Sequence, residues 1–287
     1  MGTKLAVGVM MMLGCGGAKE DPRSAATWKI VQGSVGAEVA RPGEVFEGLM
    51  PGETKQRGDE VATRIAARIA AAGLTAGKIV DGALVGDVAV GPSSVLGVID
   101  ALTVNAVGPA CTRLQRTLHA TWKRGELLDE QEVWLDPVRK VRARLRPGKA
   151  CRLNFERYAT PTEWVAMIAI AGQPADAVRA AGGPAADPSR TSDSLIWAGP
   201  GVGVGLGVSA MQADIADGKV KWAEASTFAS KATVAEIVAS VTKLAGPPAQ
   251  APGGDPEVER HEWHTPADIR LTYKHGQVKL RSGKLPD

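Results

Sequence analysis

The sequence predicts an α+β fold with a mainly antiparallel β-sheet and a few packed α-helices. Three observations lead to this fold class. Residues 112–157 give the clearest β signal, with strands separated by short turn-forming segments. A two-residue turn at His275-Gly276 joins two alternating segments, as in a β-hairpin. Apolar residues recur at helical spacing over residues 59–72 and again after residue 233.

The first of two hairpins with a predicted register lies within residues 112–157. A three-residue loop over 136–138 would bring apolar residues and opposite charges face to face across the two strands. The predicted cross-strand pairs are Val133 with Val141, Glu132 with Arg142, and Glu130 with Arg144.

The second hairpin closes the chain. The turn at residues 275–276 sets Tyr273 opposite Val278 and Leu271 opposite Leu280 on one apolar face. The opposite face carries three basic side chains: Arg270, Lys279 and Arg281. We interpret this basic face as the solvated side of a sheet, and contact with an anionic lipid or glycan is the alternative.

The N-terminus carries a short apolar segment that ends at a cysteine. Lys4 precedes nine apolar or small residues, 5–13, and Gly14 then precedes Cys15. A membrane span needs about 20 residues, so this segment fits the apolar part of a secretory signal instead. The Gly14-Cys15 junction resembles the lipobox of bacterial lipoproteins. The resemblance implies a signal peptide over 1–14, a lipidated tether over 15–26 and a globular domain over 27–287.

The same resemblance implies a location and a first partner. In lipoproteins the cysteine carries acyl chains, and two or more chains give stable anchoring in a bilayer. The lipid bilayer, contacted through acylated Cys15, is therefore an expected partner. Gly16 is not the acidic residue that retains such proteins in the inner membrane. We therefore expect a lipid anchor in the outer membrane of a bacterial cell envelope, facing the periplasm.

Two further cysteines bear on the redox environment. The sequence has three cysteines, so a lipidated Cys15 leaves Cys111 and Cys151. Export would place them in an oxidising compartment, where such a pair is usually bridged. A bridge closing a loop of about 40 residues would stabilise the fold by about 4 kcal/mol. Two separate buried thiols are the alternative.

Three motifs that suggest enzymatic chemistry or ligand binding are each incomplete. The glycine-rich residues 199–207 lack the lysine of a phosphate-binding loop, so we predict a tightly packed strand in which glycines admit close neighbours. His261 and His264 lack the four-residue spacing of a zinc-binding helix. Ser240 and Lys243 match a Ser-x-x-Lys motif without its companion motifs. We therefore predict a non-enzymatic protein with no cofactor and no metal site.

A second and weaker resemblance concerns the sheet. The residues Leu118-His-Ala-Thr-Trp-Lys-Arg-Gly, the run over 132–145 and the terminal residues 277–286 resemble the sheet of periplasmic lipoprotein carriers. Those carriers are open half-barrels that hold acyl chains. The resemblance implies a cavity for a hydrophobic ligand, lined from residues 112–157, and it assigns no ligand-binding residue. A cleft lined by some of the seven tryptophans is a related alternative.

These observations favour a membrane-anchored envelope lipoprotein with a non-enzymatic binding or scaffolding role, whose partner is an envelope protein or a hydrophobic ligand. A periplasmic carrier of lipid is the alternative, and a hydrolase of envelope polymers is the third. The net charge of +3 without a long basic run argues against nucleic-acid binding. No internal repeat is evident in the sequence, and a subdomain boundary at 184–194 remains an alternative to one continuous domain.

Overall fold

The computed structural model describes residues 60, 63–81, 83–95, 98–107, 109–124, 131–146, 150–183, 192–249 and 257–284. Within these residues the chain forms five helices and three sheets, so the predicted α+β class with mainly antiparallel strands is confirmed. None of the described helices is long and apolar enough to cross a bilayer. Cys15, with the signal and tether predicted before residue 27, lies outside the described residues.

The five helices are short to medium in length. They are α1 (63–71), α2 (Pro109–Thr121), α3 (Pro161–Ile168), α4 (Asp176–Ala180) and α5 (Lys231–Ala245). Helix α3 begins with a capping box, in which Glu163 N donates to Thr160 Oγ1 and Thr160 N donates to Glu163 Oε2. Helix α5 is capped by Ser230, whose side chain accepts a hydrogen bond from the N–H of Thr233. Thr233 itself is therefore not the cap.

Fifteen strands connect these helices within the described residues. The first eight are β1 (Lys78–Val80), β2 (Ala83–Val85), β3 (Val88–Val95), β4 (Val98–Val107), β5 (Lys123–Arg124), β6 (Glu132–Asp136), β7 (Val141–Arg146) and β8 (Ala150–Ala159). The others are β9 (Ser192–Gly199), β10 (Gly201–Val202), β11 (Leu206–Ala216), β12 (Lys219–Phe228), β13 (Glu259–Trp263), β14 (Ile269–Lys274) and β15 (Gln277–Ser282).

Two large sheets carry the fold, and five neighbouring strands of one follow the same order as five of the other, while the edge strands β5 and β9 have no counterpart. The first sheet runs β3-β4-β8-β7-β6-β5, and the second runs β9-β11-β12-β15-β14-β13. Each therefore contains a hairpin, then a helix, then a three-stranded meander whose last strand pairs with the second strand of the hairpin. In this correspondence β3, β4, α2, β6, β7 and β8 match β11, β12, α5, β13, β14 and β15. The repeat is visible in the connectivity, whereas the sequence gives no sign of it.

Each sheet buries one face against its own helices. In the first, alternate residues of β4, β7 and β8 form a core with Leu114 and Leu118 of α2 and Ile65 and Ile69 of α1. In the second, the corresponding strands pack on α3, α4 and α5. Five of the seven tryptophans fill these cores or lie almost buried beside them: Trp134, Trp164, Trp197, Trp222 and Trp263. Trp134 of β6 and Trp263 of β13 occupy matching strands, and both are fully buried.

The register predicted for the first hairpin is wrong by three residues. In the structure Asp136 pairs with Val141, Leu135 with Arg142, and Val133 with Arg144. The cause is the turn, because Asp136 Oδ1 accepts hydrogen bonds from the N–H groups of Val138 and Arg139. The loop is therefore four residues long, 137–140, and Glu132 does not face Arg142. Glu130 lies outside the described residues.

Two other predictions in the strand-rich regions have opposite outcomes. The closing hairpin is confirmed in every pair, with Tyr273 opposite Val278 and Leu271 opposite Leu280. Residues 112–121, however, form part of α2 and are helical rather than β. The buried residues Leu114 and Leu118 are four apart, which is a helical spacing.

Candidate functional site

The strongest candidate is the face of the first sheet that points away from α1 and α2, which we call the outer face. Because side chains alternate along a strand, the residues of β4, β7 and β8 between the core residues all lie on it. The outer-face side chains described on these three strands include Thr103, Asn105, Arg142, Arg144, Arg146, Arg152, Asn154 and Glu156. Four arginines thus share a face on which Glu156 is the sole carboxylate among these side chains.

At one end of the outer face lies a buried triad, formed by Arg142, Arg144 and Glu156. Arg142 and Glu156 are directly opposite on β7 and β8, and they are 0% and 2% exposed. Glu156 Oε2 accepts hydrogen bonds from the Nε atoms of both arginines, each at 3.0 Å. Arg144 also donates to Glu156 Oε1. Burial alone would raise the pKa of Glu156, but the charges and hydrogen bonds of the two arginines hold it below its ordinary value.

The triad is covered by the glycine-rich residues 199–207, which do not form the single strand that the sequence predicts. The segment ends β9, forms β10, turns over 203–205 and then begins β11. Strand β10 pairs in parallel with the end of β8, through Gly201 with Tyr158 and Val202 with Ala159. The second half of the chain thereby adds a strand to the sheet of the first half.

The predicted reason for the glycines is confirmed at Gly201. A Cβ atom there would overlap the Arg142 guanidinium and would lie 2.5 Å from the carbonyl oxygen of Gly207. Arg142 Nη1 donates to Gly203 O at 3.3 Å, and Arg142 Nη2 donates to Gly207 O. Close approach of a cation and of backbone carbonyls, rather than phosphate binding, accounts for this segment.

The other end of the outer face is open and carries the arginine pair, Arg146 and Arg152. These residues are directly opposite on β7 and β8, and both are exposed. Within the described part of the chain no carboxylate forms an ion pair with either guanidinium. Arg152 Nε donates to Asn154 Oδ1 at 3.3 Å, and the Thr103 hydroxyl donates to the same oxygen at 3.0 Å. Asn105 is the neighbour of Arg152 on β4.

The disulfide predicted between Cys111 and Cys151 is present and supports this region. It joins the start of α2 to β8, with the Cα atoms 5.9 Å apart, and Cys151 directly precedes Arg152. Strand β8 is also paired along both sides, to β4 and to β7. The arginine pair therefore stands on a strand that is fixed by two ladders and a covalent link.

The remaining motifs occupy ordinary structural positions. The Ser240 hydroxyl donates to Glu236 O within α5 and lies 3.1 Å from the Thr162 hydroxyl. His261 packs against Trp263 and contacts Glu259 Oε1 at 2.8 Å. Among the residues that the structure describes, no group of three or more His, Cys, Asp or Glu could hold a metal ion.

Two of the three side chains on the basic face predicted for the closing hairpin, Lys279 and Arg270, have carboxylate partners, unlike the arginine pair. The third, Arg281, stands opposite Arg270 on one strand and Glu224 on the other. Lys279 Nζ lies 2.8 Å from Glu224 Oε1, and Arg270 Nη2 lies 3.2 Å from Asp268 Oδ2. Charges that are paired within the fold offer less to a ligand than unpaired ones. The basic face of the closing hairpin is therefore a weaker candidate for binding an anion than the arginine pair.

The arginine pair and the triad were missed, although the sequence contains a signal for them. Arginines alternate at 142, 144 and 146, and the polar residues 152, 154 and 156 alternate in the next strand. A hairpin register that sets Arg146 opposite Arg152 also sets Arg142 opposite Glu156. Pro147-Gly148, a dipeptide typical of turns, lies between the two alternating segments.

Comparisons with protein-family models, with curated proteins and with solved structures gave no match to this chain.

Proposed function

We propose that this chain is a lipid-anchored protein of a bacterial cell envelope with a non-enzymatic binding role, and that the outer face of the first sheet is its binding surface. The observation that carries the binding role is the arginine pair. Two exposed guanidinium groups stand side by side without an ion-pair partner among the described residues, although like charges directly opposite on neighbouring strands destabilise a sheet.

The envelope location is supported by two independent features. Gly14-Cys15 follows a signal-like apolar segment, as in bacterial lipoproteins. The bridge between Cys111 and Cys151 suits an exported protein, because disulfides persist in oxidising compartments and are rare in the cytosol. We propose the outer membrane, facing the periplasm, because residue 16 is glycine.

The packing of the sheet favours binding at the surface over the carrier alternative. A carrier would need its apolar sheet face to line a cavity. Here the apolar face of the first sheet is packed against α1 and α2, and Leu102, Leu153 and Phe155 are at most 1% exposed. The exposed side chains described on β7 and β8 are those of Arg146 and Arg152, which are polar and lie on the outer face.

The anchor is tested by labelling cells with an alkyne analogue of palmitate and separating membranes from soluble protein. We expect the wild-type chain to carry the label and to sediment with membranes. The Cys15→Ser variant should lose both properties, whereas the Cys111→Ser/Cys151→Ser variant should keep the label. An unlabelled wild-type chain that retains its N-terminal methionine would overturn the envelope assignment.

The binding role is tested by co-sedimentation of the purified full chain with a delipidated envelope-polymer fraction. We expect the wild-type chain to sediment and the Arg146→Gln/Arg152→Gln variant to stay in solution. Arg116→Gln is the matched control, because Arg116 is an exposed arginine on α2, on the other side of the sheet. Equal sedimentation of the three proteins, or none by the wild type, would contradict a binding role for the outer face.

A further inference from the structure

The hydrogen-bonding groups around the arginine pair are almost all donors. The Arg146 side chain forms no hydrogen bond or ion pair among the described residues, and Arg152 uses its Nε for Asn154, which leaves both Nη groups of Arg152 available. Asn154 Oδ1 already accepts from Thr103 and from Arg152, so the part of this amide that remains available is its NH₂ donor. A ligand that complements such a surface supplies acceptors, as an oxyanion does.

The charge of the surface selects among oxyanions. The buried triad uses Glu156 for both of its arginines, so that carboxylate cannot neutralise the arginine pair. Two guanidinium groups remain, with a combined charge of about +2, since arginine stays protonated in proteins. A phosphate monoester carries about −1.5 to −2 near neutral pH, whereas a carboxylate carries only −1. A phosphate monoester therefore matches the pair in charge, and its oxygens match the planar fork of each guanidinium.

The surroundings of the pair suit a saccharide better than a bilayer surface. Asn105, Asn154 and Thr103 provide amide and hydroxyl groups on strands β4 and β8 beside the arginines. Exposed large apolar side chains, which would insert into a membrane, occur elsewhere in the described chain. They are Ile79, Val80, Val85, Val138, Ile196, Phe228 and Leu244, and none is among the residues of β4, β7 and β8 whose side chains the structure describes.

We propose that the arginine pair is a binding site for the phosphate monoester of a phosphorylated saccharide. This inference rests on the proposed binding role of the outer face and names the ligand class for it. Arg146 and Arg152 clamp the phosphate from two neighbouring strands, while the Asn154 NH₂ group and Asn105 bond to phosphate or sugar oxygens. The disulfide at Cys151 and the ladders of β8 hold the site in place before the ligand arrives, which lowers the entropic cost of binding.

The proposal is tested by titrating the purified full chain with glucose 6-phosphate and recording heat and the ¹⁵Nε resonances of arginine. We expect saturable binding that shifts the Arg146 and Arg152 resonances and weakens as salt is added. Arg146→Gln or Arg152→Gln should each weaken binding about tenfold, since each removes a charge-assisted hydrogen bond. Arg116→Gln should bind as the wild type does, and circular dichroism of every variant shows whether it is folded.

Three further probes give outcomes that would overturn the proposal. Inorganic phosphate that binds as tightly as glucose 6-phosphate would remove the saccharide from it. Glucuronate that binds as tightly would remove the phosphate. Vesicles of phosphatidylglycerol that bind through the arginine pair, with no binding of glucose 6-phosphate, would assign the site to a lipid surface instead. If co-sedimentation with envelope polymer depends on the arginines while glucose 6-phosphate fails to bind, this inference fails and the proposed function stands.

Discussion

Five strands follow the same order in both sheets, but the arginines at corresponding places have different environments. Arg142 on β7 and Arg270 on β14 both lie on the middle strand of the meander and face away from the helices. The Arg142 side chain is fully buried under residues of the glycine-rich segment, whereas the Arg270 side chain is 41% exposed and pairs with Asp268. The difference teaches that the second half of the chain, by adding β10 to the first sheet, converts a surface arginine into an internal one.

The sheets differ in their covalent support as well. The first sheet is linked to its helix α2 by the disulfide between Cys111 and Cys151. The second sheet has no cysteine in residues 160–287 and depends on packing alone. The open arginine pair is found in the cross-linked sheet. The first sheet thus carries its open arginine pair next to a disulfide. In the second sheet, Arg270 and Lys279 form ion pairs with carboxylates.

The largest effect should come from removing the disulfide. The Cys111→Ala/Cys151→Ala variant opens a loop with a sequence separation of 40 residues, and the loop-entropy model predicts a loss of about 4 kcal/mol in the free energy of unfolding. Chemical denaturation measures the loss, and hydrogen exchange locates it. We expect faster exchange in β8 and α2 than in the matching β15 and α5. Equal acceleration in both halves would show that the two sheets unfold as one unit.

Arg142→Met should have the next largest effect, a loss of about 3 kcal/mol. The variant leaves Glu156 buried with one arginine and leaves the carbonyl groups of Gly203 and Gly207 without their donor. Arg270→Met, the matched change in the second sheet, should cost less than about 1 kcal/mol because that ion pair is partly solvated. Urea denaturation of both variants tests the comparison, and equal losses would refute the role assigned to β10.

Gly201→Ala should cost about 2 kcal/mol, because its Cβ would overlap the Arg142 guanidinium and the Gly207 carbonyl group. Gly91→Ala is the control, since a Cβ at Gly91 of β3 meets no atom within 4 Å. The thermal midpoint of each variant gives the measurement. A Gly201 variant as stable as the Gly91 variant would mean that the second half does not press on the triad.

The smallest effect should be a dependence of stability on pH through Glu156. Its pKa is lowered in the folded chain, so the triad contributes stability that is fully present above the ordinary carboxyl pKa of about 4.3 and is lost as the pH falls through the lower folded value. We expect the unfolding free energy to decline below about pH 4.5. The ¹³C resonance of the Glu156 carboxyl group should titrate below that of a free glutamate, and a higher midpoint would contradict the triad geometry.

The sequence predicts the local structure where neighbouring residues decide it. The hairpin at His275-Gly276 is correct in every pair because its turn residues adopt positive φ and fix the register. The register at 136–141 failed because Asp136 remains in β6 and accepts hydrogen bonds from the loop, so the loop begins one residue later and is one residue longer than predicted. The match of opposite charges also pointed to the wrong strand, because both neighbours of β7 carry a carboxylate: Glu132 on β6 and Glu156 on β8.

The candidate site could be predicted only in part. Residues 142–156 contain the alternation that sets Arg146 beside Arg152. No local pattern indicates that the glycine-rich segment, some 60 residues away in sequence, covers Arg142 and leaves Arg146 open. The prediction that the glycines admit a close neighbour was sound, but at Gly201 the neighbour is the Arg142 guanidinium, from the first half of the chain. The possible subdomain boundary at 184–194 lies mostly outside the described residues and stays a prediction.

The pairing of β10 with β8 also sets an order of events as the chain is synthesised. The two cysteines are both present once residue 151 has emerged, so the cross-link can form early. The Arg142 guanidinium, however, acquires its last acceptors only when Gly203 and Gly207 follow. A chain interrupted between these points would have a bridged sheet, an Arg142 side chain without these acceptors and an unpaired end of β8, and unpaired strand edges promote aggregation.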